Sequence, residues 1–143
     1  MKKINFIYIS VILFAVLISS CSEDKTTEPK LILDPALVGT WDLTKIIAKF
    51  GTTDIELTPE QAGYNVTANF KDDLTFESTT VTSDSTTIDT GTWGTNDGTL
   101  TITIDGEEPE SSPYTIDGNI VTIESTVPYQ GVEIDANLEF TKQ

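Results

Sequence analysis

From Val132 to Thr141 the chain alternates apolar and polar residues without a break. Val132, Ile134, Ala136, Leu138 and Phe140 fall on one side of an extended chain, and Glu133, Asp135, Asn137, Glu139 and Thr141 on the other. A period of two gives a helix no continuous apolar stripe but gives a strand one buried and one wet face. The same alternation recurs in Tyr64, Val66, Ala68 and Phe70, in Leu100, Ile102 and Ile104 set between threonines, and in Tyr114 with Ile116.

Turn formers separate these runs: Lys71-Asp72-Asp73, Ser83-Asp84-Ser85, Asn96-Asp97-Gly98, Asp105-Gly106 and Asp117-Gly118-Asn119. Asn, Asp and Gly tolerate positive φ, so successive strands are expected to be hairpin-linked and antiparallel. Strands are predicted near 40–50, 64–70, 74–83, 86–95, 99–105, 112–117, 119–126 and 131–142. About eight strands suit an all-β, up-and-down antiparallel barrel. Alternation alone does not show whether the first and last strands pair, so a β-sandwich stays open at this point. Thr58-Pro59-Glu60-Gln61 predicts one short helical turn, with a capping Thr, Pro at the first position and Gln at the third. Residues 35–38 are the other helical candidate.

The chain has 143 residues, enough for one ordinary domain once a leading segment is removed. Met1-Lys2-Lys3 followed by a mostly apolar run from Phe6 to Ile18 has the pattern of a signal peptide. The run is shorter than the roughly 20 residues that cross a bilayer as a helix. Residues 1–20 are therefore expected to be a signal peptide, 21–34 a lipidated cysteine and flexible tether, and 35–143 the folded domain. The tether, with Pro29 and a polar start, would reach about 45 Å if fully extended.

Acidic residues number 23 against eight lysines, and there is no Arg or His. Loss of Lys2 and Lys3 with the leader takes the net charge from −15 to −17. A nucleic-acid surface needs clustered cations, which this chain lacks. The commonest general base and zinc ligand are missing too, and no Ser or Thr has a His to activate it. The expectation is a protein that is not an enzyme, with no catalytic residues, no cofactor and no metal site. Glu107-Glu108-Pro109-Glu110 and Asp72-Asp73 lack the spaced ligands and fixed glycine of a calcium loop and read as solvated loop charge. Carboxylate pairs at glycosidase spacing arise by chance in so acidic a chain. Asp84-Ser85-Thr86 is similar to a short bacterial O-glycosylation acceptor.

Leu17-Ile18-Ser19-Ser20-Cys21 resembles a lipobox: an apolar residue, two small residues, then cysteine. The resemblance implies that the lone cysteine, Cys21, is the lipid attachment point, through a diacylglyceryl thioether, and becomes the first residue of the mature chain. Two or three acyl chains hold a protein firmly to a membrane, at about 0.8 kcal/mol per buried methylene. Ser22 after the cysteine matches the pattern that sorts lipoproteins to the outer membrane, and Glu23-Asp24 resembles a bacterial surface-export signal. The location expected is the cell envelope, lipid-anchored in the outer membrane and exposed at the cell surface.

Leu37-Val38-Gly39-Thr40-Trp41-Asp42-Leu43 resembles the opening of lipocalin-like domains of the calycin superfamily, where Gly-x-Trp begins the first barrel strand. The likeness continues through Phe70–Phe76, Gly91-Thr92-Trp93-Gly94, Leu100–Thr103 and Tyr114–Asn119, and covers roughly 36–142. It is greatest to small bacterial lipocalin-like lipoproteins, and implies architecture more than activity. In many calycins an Arg packs on the first-strand Trp or holds a ligand carboxylate. This chain has no Arg, so those sites do not carry over.

Trp41 and Trp93 are expected to be barrel core, each preceded by a glycine that lets a neighbour approach. Tyr64, Phe76 and Tyr114 are the ligand-binding candidates by face alternation. The expected function is to hold a small apolar or neutral ligand, because burying an anion without a cationic partner is costly. The alternative is a filled barrel or β-sandwich acting on a protein partner as an adhesin, inhibitor or interaction module. A Cys21→Ser substitution is expected to abolish incorporation of labelled palmitate and to release the protein from the membrane fraction, as phase partitioning would show; retention of both would contradict the lipobox reading.

Overall fold

The computed structural model describes residues 30–129 and 132–143. The expected signal peptide, Cys21 and residues 22–29 of the expected tether lie outside the described residues. Nine antiparallel strands form one sheet: β1 (Gly39–Phe50), β2 (Thr53–Leu57), β3 (Tyr64–Phe70), β4 (Thr75–Thr82), β5 (Thr86–Asn96), β6 (Thr99–Ile104), β7 (Glu110–Asp117), β8 (Ile120–Tyr129) and β9 (Val132–Lys142). Among the described residues a single helix, α1 (Pro59–Ala62), lies between β2 and β3.

The sheet closes because β1 pairs with β9 as well as with β3, from Trp41 opposite Lys142 to Ala48 opposite Ala136. Closure makes an eight-stranded barrel of β1 and β3 to β9, and rules out the sandwich. The eight barrel strands match the eight expected from alternation. β2 is an additional strand that pairs only with the second half of β1, from Ile46 opposite Leu57 to Phe50 opposite Thr53. Its five residues include Ile55, which is largely exposed, so the segment carries little burial signal.

β1 changes register between Leu43 and Lys45. Thr44 is left over, and its hydroxyl meets the Glu139 carbonyl at 3.2 Å and the Thr141 hydroxyl at 3.1 Å. An irregularity of this kind increases local bend and twist, which lets one long strand wrap the barrel. The α1 turn forms as its capping box predicts: Gln61 N donates to Thr58 Oγ1 and Thr58 N donates to Gln61 Oε1.

The second helical candidate, 35–38, is instead a single turn at 35–37 that runs straight into β1. Asp34 sets it, accepting from Ala36 N on its side chain and from Leu37 N on its carbonyl. Leu37 is thereby buried, and its carbonyl accepts the Trp41 indole N–H at 2.7 Å. Continuing the helix would have claimed that carbonyl.

The end of the barrel bearing this turn is plugged. Trp41 and Trp93 are 0% and 1% exposed, as core residues. The Trp93 indole donates to the Lys71 carbonyl at 2.9 Å, and its ring meets Phe70 edge-on at 5.1 Å. The place left open for want of an Arg is filled: Lys142 Nζ lies 5.2 Å from the Trp41 ring centroid and donates to the Ala36 carbonyl at 3.2 Å. A lysine therefore supplies the cation, which reading the chain for Arg alone misses. Gly91 has the Thr103 carbonyl where a Cβ would stand, so a backbone does press on this glycine, while Gly39 is approached by the Lys142 side chain.

The last residues of the expected tether are seated on the barrel. Ile32 bridges Thr95, with its N–H donating to the Thr95 carbonyl at 2.9 Å and its own carbonyl accepting from Thr95 N at 2.8 Å. Leu31 can lie here because residue 94 is glycine: a Cβ there would stand 2.6 Å from Leu31 Cβ. Gly94→Val should lift residues 31–34 from the barrel. Hydrogen exchange should then show the Ile32 and Thr95 amides losing protection, with β1 and β9 unchanged; undiminished protection of both amides would contradict this docking.

Candidate functional site

Alternation brings one face of each strand inward. At the plugged end these residues interlock, with Phe70 and Phe76 rings 5.2 Å apart forming a floor. Above the floor the walls leave a cavity of about 210 Å³. Phe76, Leu100, Ile102, Ile123, Leu138 and Phe140 supply much of its apolar surface. Ser78, Ser112 and Ser125 are the hydroxyls in its wall, and Glu107, Glu108 and Glu110 stand at its edge.

The wall is incomplete on one side. The β7–β8 ladder ends at Tyr114 opposite Ile123, although β7 continues to Glu110 and β8 to Tyr129. Pro113 explains the break. Tyr114 N donates to Gly98 O, toward β6, and successive amides of a strand point to opposite sides. Residue 113 would thus present its N–H to β8, and proline has none. Glu110 and Ser112 border this gap from β7, and Ser125 from β8.

Of the three ligand-binding candidates, Phe76 lines the cavity; Tyr64 and Tyr114 pack against the core without lining it. Tyr114 is occupied elsewhere, its phenol donating to Asp34 Oδ2 at 2.7 Å and so tying the entering segment to β7. Tyr64 begins β3, beside α1. Ser78 and Ser112 face the cavity unannounced because an alternating pattern reads them as ordinary strand polar residues, and the glutamates because Glu107-Glu108-Pro109-Glu110 reads as solvated loop charge. Pro113 inside a strand was the available signal for an opening.

The other sequence candidates have local roles. Asp73 accepts from Thr75 N and Oγ1 at 2.9 and 2.6 Å, closing the β3–β4 turn, and these bonds hold its carboxyl below the usual range. Ser111 Oγ pairs with Thr101 Oγ1 at 2.8 Å. Thr82 Oγ1 and Ser85 Oγ meet at 3.0 Å across the hairpin tip. Among the described residues no three carboxylates converge as a metal-binding group.

A closed eight-stranded barrel, plugged by tryptophans at one end and hollow toward the other, defines the class of small single-cavity barrels. The family model described as a lipocalin-like domain matches residues 37–126, and the chain belongs to that family. No curated protein matches it.

Burial, with Asp34 as its hydrogen-bond acceptor, holds the Tyr114 phenol above its ordinary value of 10.0. The folded state thus keeps this proton longer than the unfolded chain. The resulting stabilisation is complete below pH 10 and is lost as pH rises through the folded value. Tyr114→Phe is expected to cost about 1 kcal/mol at neutral pH by removing the donor to Asp34. In urea titrations the gap between the two proteins should narrow above pH 10; a gap that stays constant would contradict the assignment.

Proposed function

We propose that the protein is a non-catalytic, lipid-anchored lipocalin-like barrel that holds a compact apolar or neutral molecule in its cavity. The observation that carries this reading is the cavity itself, apolar in most of its wall and bordered by an interrupted strand pair. A filled barrel working only through its outer surface would need no such space. At about 210 Å³ it is smaller than the roughly 300–1,000 Å³ of drug-sized sites, so it favours a single ring or short chain over a long acyl tail.

The proposal extends to location. The run Leu17–Cys21 supports lipid attachment at Cys21, and Ser22 with Glu23-Asp24 supports an outer-membrane, surface-exposed setting. The membrane is then a partner through the lipid, and the cavity ligand the second partner. The net negative charge supports a protein that leaves nucleic acid alone.

Ile102 lines the cavity from β6 and is half-buried, so Ile102→Trp should fill the space without displacing a packed core residue. Native mass spectrometry and organic extraction of protein from its own host should find a bound small molecule in the parent and a loss of at least about tenfold in occupancy in the variant, a change of about 1.4 kcal/mol. Equal recovery from both, with unchanged circular dichroism, would contradict the cavity as the binding site.

A further inference from the structure

We infer that the cavity selects a compact aromatic or aliphatic body carrying a positively charged group, with Glu107, Glu108 and Glu110 receiving the cation and Ser78 the ligand's far polar group. This deepens the ligand-binding reading and rests on it.

Two independent observations meet here. The first is Ser78, only 9% exposed, on β4 one inward-facing position beyond Phe76, with its side chain in the cavity wall. Its hydroxyl has no hydrogen-bond partner among the described residues, and unlike the other unpartnered hydroxyls of the sheet it belongs to a buried residue in the cavity wall. Facing the cavity with no protein partner, the hydroxyl is available to a ligand able to hydrogen-bond there. The hydroxyl both donates and accepts, so it takes an alcohol, phenol or carbonyl group alike.

The second is the charge at the edge. All three glutamates line the same cavity as Ser78. Among the described residues the ion pairs are Lys45 with Glu139 and Lys71 with Glu77, so no lysine neutralises them. Lys142 is held at the plugged end over Trp41. Lys49 lies on β1, four strands round the barrel from β6. Three exposed carboxylates clustered at the edge of an apolar recess attract cations to it and repel anions from it. Among the described residues they do not converge as a metal-ligand group.

The test uses four matched probes on the purified protein by isothermal titration calorimetry: tyramine, phenethylamine, 4-ethylphenol and 3-(4-hydroxyphenyl)propionate. Tyramine should bind about tenfold more tightly than 4-ethylphenol, and the anion most weakly. The preference should shrink in 1 M salt, and should vanish in the Glu107→Gln/Glu108→Gln/Glu110→Gln variant, whose exposed sites leave the fold intact. Ser78→Ala should lower tyramine affinity about fivefold while leaving phenethylamine unchanged. Equal affinity for cation, neutral and anion would overturn the charge assignment while leaving the cavity reading standing. Equal loss of tyramine and phenethylamine on Ser78→Ala would overturn the role of the hydroxyl. No binding by any of the four would overturn the ligand-binding reading and this inference together.

Discussion

An antiparallel sheet keeps two unpaired edges unless its outermost strands find each other, and here the pairing of β1 with β9 removes them. The rest of the structure depends on this ladder. It turns an amphipathic sheet into a container, gives Trp41 a fully enclosed site, and brings Lys142 at the end of β9 over the indole at the start of β1. The bend at Thr44 is the local device that lets β1 serve β3, β2 and β9 in turn.

The two ends of the barrel are built for different purposes. One holds the tryptophans, the turn at 35–37, the Tyr114–Asp34 bond and the docked segment at Ile32. Each of those contacts satisfies a buried polar group or fills space, so this end is the stable plug. Toward the other end the side chains shrink to Ala68, Ser78, Ser112 and Ser125, and the β7–β8 ladder stops. The hollow follows from small residues and a missing amide.

Much of this architecture is legible in the residues, and the illegible parts share a cause. Val132 to Thr141 states its own buried face, although Val132 itself, at the open end, is 62% exposed. Thr58 to Gln61 states its capping box. These are local signals within one or two turns or strands. Closure, the seat of Lys142 and the docking of Leu31 on Gly94 join residues far apart in the chain, which no period reveals. Phe76 was identifiable as a wall residue; Ser78 and Glu110 were not, because their meaning comes from the space they face. Tyr114 lies on the expected face, but its phenol is committed to an aspartate that precedes the barrel.

The barrel and its interior stand on the first and last strands lying side by side. Nuclear Overhauser measurements on the labelled protein address this directly, between the backbone protons of Ile46 and Leu138 and of Ala48 and Ala136, which face each other across the closing ladder. Strong cross-strand contacts at both pairs are predicted. Their absence, with β1 and β9 amides exchanging as freely as open sheet edges, would contradict the closed barrel and every inference drawn from its interior.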